Sequence, residues 1–376
     1  MEAKSTLTED LLEEILCRLT VKQLLQLRCA SKLWCSVIDK SSFSQKHHDF
    51  RNALLKEEDD VPLFCDKPSI YGLKEDPTQF YLLSKKLGDD ILCLTPDLRS
   101  DSSHYFKTDD DPNEFNSLFC VGVVNGVALL HWNKENVGFW NPATREFKAV
   151  PHPRPNQPEN VNESIASFIG FGYDSKCNDF KIVRSILWMM RKPDGEWERD
   201  TIYEMYSLRA NTWKKFEFPW YIRMNTCVTD GYLNGVHYWP ANEYEDNSYG
   251  YPRRFGLLCY NFGTEVFQIV DPPPPACKDG PQWEWCVGRY KDFLAVIFTD
   301  KDEDENVGRF ETWIVTKFGD DDPAEPQTWE HLFTIGPIPA YDGLWFSAFL
   351  FDGDVVLTVQ GGPGATREMV HVSINI

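Results

Sequence analysis

The sequence predicts two unlike parts: a small all-α module of three helices over residues 1–44, and an all-β, propeller-like domain of about six blades over 61–376. Three observations carry this. The first forty or so residues place apolar side chains at helical spacing. Beyond residue 61 the apolar runs become short and β-branched or aromatic, broken by Gly, Asn, Asp and Pro. A hairpin signal then recurs at a near-constant interval down the chain.

In the N-terminal module, Leu7, Leu11, Leu12, Ile15, Leu16 and Leu19 fall on one helical stripe. Thr6 stands three residues before Glu9, the spacing of a capping box that starts the first helix. Thr20 stands three before Gln23 and starts a second, carrying Val21, Leu24, Leu25 and Leu27. Ser31 is placed to cap a third, with Trp34, Val37 and Ile38. Helices this short cannot bury all that apolar surface among themselves, so the excess predicts a partner, or else packing on the rest of the chain. His47-His48 reads as the solvated end of the module. Residues 45–60, with the run Glu57-Glu58-Asp59-Asp60, read as a linker or a helical extension.

In the large part, Asn125-Gly126 and Asn234-Gly235 are each flanked by alternating apolar residues, the strongest short hairpin signal. Similar hairpins centre near Glu75, Cys177, Lys291 and Asp352, so successive turns lie 50 to 61 residues apart. That is a kelch-like period. A second motif follows several of the turns: Trp140, Tyr206 and Tyr260 are each followed seven residues later by Phe147, Trp213 and Phe267. Two hairpins per period make four strands, which is one blade. Residues 369–376 alternate cleanly and are expected to pair with 61–65, closing a ring and removing exposed strand edges.

The formal net charge is −20 over 376 residues. Basic and acidic side chains balance at seven each over residues 1–50, so the whole excess lies beyond. Such a field repels nucleic acid and anionic membrane surfaces and attracts basic proteins. Acidic stretches between strand signals are the candidate contacts: Glu243, Tyr244, Glu245 and Asp246, with Tyr249 and Tyr251 beside them, and Asp302, Glu303, Asp304 and Glu305. Asp109–Asp111 and Asp320–Asp322 are of the same kind. The 11 Cys are scattered and never spaced C-x-x-C, which predicts reduced thiols in the cytoplasm or nucleus. The charged first twenty residues do not read as a secretory signal, and no apolar run is long enough to span a bilayer. No H-E-x-x-H, G-x-S-x-G or phosphate-loop motif occurs, so no catalytic residue, metal or cofactor is expected. Gly361-Gly362-Pro363-Gly364 reads as a loop between strands.

The stretch LTEDLLEEILCRLTVKQLLQLRCASKLWCSVI resembles an F-box. Leu7, Asp10, Leu11, Leu12, Glu14, Ile15, Leu16, Arg18, Leu19, Leu24, Leu25, Arg28, Ser31, Lys32 and Trp34 match its pattern in order. The resemblance implies that Leu7, Asp10, Leu11, Leu12, Ile15, Leu16, Leu19, Leu24, Leu25, Arg28, Ser31, Lys32 and Trp34 dock a Skp-type adaptor and, through it, cullin and RING subunits. Thr8 and Thr20 stand where that family has proline. Both fall at helix starts, where Thr caps in place of Pro. WNPATREFKAVPHP, GFGYDSKCNDFKIVR and MYSLRANTWKKF resemble the F-box-associated domain of plant F-box proteins, over nearly all of 61–376. That implies a non-catalytic, substrate-recognition subunit of a ubiquitin ligase that presents a protein for degradation. One branch of the resemblance, the S-locus F-box proteins, recognises non-self S-ribonucleases, which are basic. Alternatives are a different target, such as a defence or signalling regulator, and an enzymatic or sugar-binding propeller supported by loops such as WPANEYEDNSYGYPRRF.

Overall fold

The computed structural model describes residues 8–40, 42–44, 46, 47, 50, 63–65, 80–83, 91–93 and most of 119–372; within the last span, 133–135, 142, 143, 145, 152–160, 193, 219, 225–230, 245–252, 275–283, 303–306, 318–326, 340–342, 350–354 and 361–366 fall outside. Three helices open the chain: α1 (Glu9–Cys17), α2 (Val21–Ala30) and α3 (Lys32–Ile38). Residues 42–44, 46, 47 and 50 are also helical, which adds a fourth helical stretch to the three expected. The capping box at α2 is present as predicted: Gln23 N donates to Thr20 Oγ1 at 3.3 Å, and Thr20 N donates to Gln23 Oε1 at 2.9 Å. At α1 the N-cap is Thr8, two residues after the expected position; Thr6 lies outside the described residues.

The β part forms successive antiparallel sheets. The first holds β1 (Leu63–Cys65), β2 (Phe80–Leu83) and β3 (Ile91–Cys93). Blade I is β4 (Phe119–Val124), β5 (Val127–Trp132), β6 (Asn136–Asn141) and β7 (Glu146–Ala149). Blade II is β8 (Val161–Asp174), β9 (Asp179–Arg191), β10 (Trp197–Ser207) and β11 (Thr212–Phe216). In blade III the first strand is broken into β12 (Tyr221–Met224) and β13 (Tyr232–Leu233); β14 (Val236–Tyr244), β15 (Arg254–Asn261) and β16 (Val266–Val270) follow. Blade IV is β17 (Glu284–Tyr290), β18 (Phe293–Asp302), β19 (Val307–Lys317) and β20 (Thr328–Pro339). The last sheet is β21 (Gly343–Phe349), β22 (Val355–Gln360) and β23 (Arg367–Val372).

The count of six blades is therefore corrected. Four sheets have the full four-strand order of a blade, and the sheets at either end have three described strands each. A repeat period counts hairpins, and a hairpin alone is only half a blade. The expected closing pair also does not occur among the described residues: β1 pairs with β2, and β23 pairs with β22.

The repeat itself is real at the residue level. The turns at Asn125-Gly126, 175–178, Asn234-Gly235 and Lys291-Asp292 join the first and second strands of blades I to IV. Asn125, Gly126, Asn178, Asn234, Gly235 and Lys291 take positive φ there, and Asn and Gly tolerate that region best. The turns near Glu75 and Asp352 lie outside the described residues. The seven-residue aromatic spacing is a cross-strand contact: Trp140 faces Phe147, Tyr206 faces Trp213, and Tyr260 faces Phe267, each pair directly opposed on strands three and four. Each connecting turn is held by the first residue's side chain. Asn141 Oδ1 accepts from Thr144 N, Ser207 Oγ from Ala210 N, and Asn261 Oδ1 from Gly263 N and Thr264 N.

The hydrophobic core lies between sheets. Phe139 and Val121 of blade I pack with Phe171, Ile182 and Tyr206 of blade II. Val183 and Met205 of blade II pack with Trp239, Leu258 and Tyr260 of blade III, and Leu257 and Cys259 of blade III with Val296, Phe298 and Val315 of blade IV. Polar contacts stitch the same joints. Tyr232 Oη, His237 Nδ1 and Trp239 Nε1 meet the carbonyls of Tyr173, Phe171 and Ile169, three alternate residues along β8.

Candidate functional site

Two surfaces are candidates: the helical module, and the face of the β domain that carries the acidic strand ends. In the module, a stripe of apolar residues has divided its work. Leu12, Leu16 and Leu24 are buried with Cys17, Val37 and Phe43, and Leu19, Leu27, Trp34 and Ile38 pack against them. Leu11 and Ile15, on the outer flank of α1, are 50% and 48% exposed, and Leu33 of α3 is 61% exposed. Asp10, Arg28 and Lys32 are also exposed, and Leu25 and Ser31 are half-buried; Leu7 lies outside the described residues. Leu12, Leu16 and Leu24, expected among the docking residues, thus lie in the module's own core, while Leu11 and Ile15 keep their side chains on its surface. Leu33 joins it. Its position beside Trp34 gave no periodic signal, since a seven-residue helix is too short to show one.

His47 is a second correction. It is buried rather than solvated: its Nε2 lies 2.8 Å from the Leu19 carbonyl and its ring packs beside Phe43. His48 lies outside the described residues. Arg28 Nε lies 2.7 Å from Asp39 Oδ1 and ties α2 to the end of α3.

In the β domain, antiparallel order alternates the connections. Turns between strands one and two, and three and four, emerge on one face; connections between strands two and three emerge on the other. Lys181 fixes how blades II and III share the first face. Its Nζ lies 2.7 Å from Asp174 Oδ2, 2.8 Å from Glu265 Oε1 and 3.2 Å from the Phe262 carbonyl. Asp174 and Lys181 flank the first turn of blade II, while Phe262 and Glu265 sit in the last turn of blade III. Burial works against the Asp174 carboxylate, but Lys181 and the N–H groups of Cys177 and Lys176 outweigh it and hold the acid below the usual range. A second joint repeats along the ring: Trp213 Nε1 of blade II donates to the Pro151 carbonyl just past β7 at 2.7 Å, and Trp329 Nε1 of blade IV donates to the Asp271 carbonyl just past β16 at 3.1 Å.

The opposite face therefore gathers the ends of the second and third strands: Arg191 and Trp197 of blade II, Tyr244 and Arg254 of blade III, Asp302 and Val307 of blade IV. Both acidic stretches expected to contact a target start from this one face. Glu243 lies opposite Arg254 in the β14–β15 register, and Arg254 forms an ion pair with Asp271. Asp300 lies opposite Arg309, and Asp302 opposite Val307 at the end of the β18–β19 ladder. Glu245, Asp246, Tyr249, Tyr251, Glu303, Asp304 and Glu305 lie outside the described residues. The charge is more mixed than the acidic runs alone suggest, because the partner strands bring arginine into register.

Buried ionisable groups serve the joints. Arg184 and Glu204 are 1% and 0% exposed, 2.6 Å apart, with the guanidinium 4.0 Å over the Trp213 ring. Burial depresses His237 to about 4, so it is neutral near pH 7; facing a carbonyl, its Nδ1 carries the proton. Among the described residues no group of three or more His, Cys, Asp or Glu side chains is placed to hold a metal ion. Among them, too, no helix is long and apolar enough to cross a membrane.

Residues 79–362 match the F-box associated beta propeller domain, and residues 5–46 match the F-box domain. This chain belongs to the F-box-associated β-propeller family. The relatives of this F-box protein are distant. An F-box protein of Arabidopsis thaliana is 27% identical over 282 residues, covering 73% of this chain and 66% of its own length, just under two thirds. Two F-box/kelch-repeat proteins of the same plant are 24% and 26% identical, covering 93% and 88% of this chain and 84% and 69% of their own lengths. Identity of this order supports a shared architecture and leaves the target-facing surface to be argued from this chain's own residues.

Proposed function

We propose that this F-box protein is the substrate-recognition subunit of an SCF-type ubiquitin ligase, working in the cytoplasm and nucleus. Its F-box docks a Skp-type adaptor and, through it, cullin and RING subunits; its β domain holds the protein to be ubiquitinated. The observation that carries this reading is the division of the F-box stripe. Leu11, Ile15 and Leu33 stay exposed on a module whose core is already complete without them, and surface of that kind is retained where a partner covers it. Catalysis belongs to the partner subunits. Co-purification of adaptor and cullin with the wild type, and their loss on Ile15→Asp, tests the reading; retention of both would refute it.

The target in this proposal is a basic protein, met on the face where Glu243, Tyr244 and Asp302 end their strands. The support is the charge split, balanced over residues 1–50 and −20 for the whole chain. S-ribonuclease is a target of this chemistry and is the one to try first. Steering between exposed charges is screened over about 8 Å at physiological salt, so the association rate should fall as salt rises. Neutralising Asp302, Glu303, Asp304 and Glu305 together should flatten that slope. Equal slopes would remove this stretch from recognition, and an S-ribonuclease that does not bind would exclude that target alone.

A further inference from the structure

Blade II is built longer than its neighbours. The β9–β10 ladder runs from Lys181↔Ser207 to Arg191↔Trp197, whereas β14–β15 ends at Glu243↔Arg254 after eight pairs and β5–β6 at Trp132↔Asn136 after five. The outer strand does not follow it. β11 pairs with β10 only as far as Phe216↔Tyr203, and among the described residues no strand pairs with the outer side of residues 197–202. Six residues at about 3.3 Å each leave roughly 20 Å of open strand edge, on the same face as the acidic strand ends.

The hydrogen-bond parity shows which backbone groups it offers. Lys192 N donates to the Glu196 carbonyl at 2.8 Å, so residues 196, 198, 200 and 202 turn toward β9. Trp197, Arg199 and Thr201 turn their N–H and C=O groups outward. The other end of β10 agrees: Ser207, of the same parity, accepts from Asn211 N on the β11 side at 2.8 Å. The side chains beside this edge are equally uneven. Trp197 is 52% exposed at its start, and Glu198 and Asp200 are exposed on the opposite side of the strand.

We infer that this edge is the seat of an extended, basic segment of the target protein, which adds to blade II as a further strand beside β10. The inference rests on the receptor reading above and names the form in which the target is held. Outward N–H and C=O groups at alternate residues accept only a chain in the same extended conformation. Side chains of the added strand alternate: one row lies against Glu198 and Asp200, where Lys or Arg is favoured and acid repelled, and the other lies against Trp197, which takes an apolar or cationic group on its ring. The same carboxylates keep uncharged and acidic strands off the edge.

The test uses the full chain purified with its adaptor and three fluorescein-labelled decapeptides, read by anisotropy: alternating Lys-Val, alternating Glu-Val, and Lys-Val with proline at every fourth position. The Lys-Val peptide should bind, and the other two should not. Arg199→Pro removes an outward N–H while leaving the β9–β10 bonds in place, so it should weaken Lys-Val binding about tenfold or more without lowering Tm appreciably. Should that variant misfold, Glu198→Lys with Asp200→Lys is the second arm, and it should exchange the preference from Lys-Val to Glu-Val. Absence of Lys-Val binding, equal binding of the proline-containing peptide, or equal binding by Arg199→Pro overturns the proposal. So does a wild-type dimer that Arg199→Pro dissolves, since the edge would then hold a second copy. Adaptor co-purification is untouched in every one of these cases, so its loss speaks against the receptor reading and not against the edge.

Discussion

Trp239 locks blade III onto blade II through a glycine. Its Nε1 donates to the Ile169 carbonyl at 3.1 Å, and its ring covers Gly170 so closely that an added Cβ would lie 2.1 Å from it. Gly172 stands in the same relation to Phe262, at 2.2 Å. Both aromatic side chains are buried and held on several sides. Gly170→Ala should therefore cost about 1–3 kcal/mol, the range for overpacking a filled core, measured by chemical denaturation. An unchanged midpoint would show that the joint yields.

The F-box stripe should separate into two classes of variant. Leu11→Asp and Ile15→Asp lie at exposed positions and should abolish adaptor co-purification with the fold intact by circular dichroism. Leu16→Ala removes a side chain that is 2% exposed and should destabilise the module by about 2–5 kcal/mol. If Leu16→Ala were the milder change for stability, the assignment of α1's inner and outer flanks would be wrong.

Arg184 and Glu204 pair inside blade II, out of contact with water. Losing one partner leaves the other as a buried, uncompensated charge, so Arg184→Met or Glu204→Leu alone should cost about 3–5 kcal/mol. The double variant should recover most of that loss, because apolar groups of similar size replace both charges. Additive losses in a double-mutant cycle would show that the Trp213 contact, not the ion pair, is what Arg184 contributes.

His237 makes the β domain sensitive to mild acid. Its pKa is about 4 when folded, depressed by burial, against the ordinary 6.5 of the unfolded chain. Between those values the unfolded state binds the extra proton, so stability is lost as pH falls from about 6.5 and the loss is complete near 4. The full difference amounts to about 3 kcal/mol. His237→Asn keeps a donor for the Phe171 carbonyl and removes the titration. It should flatten the decline of Tm between pH 6.5 and 4.5; an undiminished slope would assign the acid sensitivity to other groups.

Much of the fold was legible because the signals are local. An Asn-Gly turn, a Thr-x-x-Gln cap and a seven-residue aromatic spacing each concern residues within one or two strands or a single helical turn, and chain geometry alone ties such residues together. The F-box pattern likewise marked the helical module, and the two acidic stretches that begin at Glu243 and Asp302 start from one face of the β domain.

The amino-acid sequence by itself determined where the helices and hairpins fall, which part of the chain carries the charge excess, and the family's order of modules. Tertiary structure alone decided the rest. Among the described residues it set four full blades against the six that the hairpin count suggested, since a blade exists only when a fourth strand pairs. It sent Leu12 and Leu16 inward and left Ile15 out, although all three share one stripe. Among the described residues it left the outer edge of β10 without a pairing strand at Trp197, because β11 stops at Phe216. Each of these depends on which distant residues fill the neighbouring space. Close packing and strand pairing are settled by the three-dimensional arrangement of the whole chain, and no window of sequence contains them.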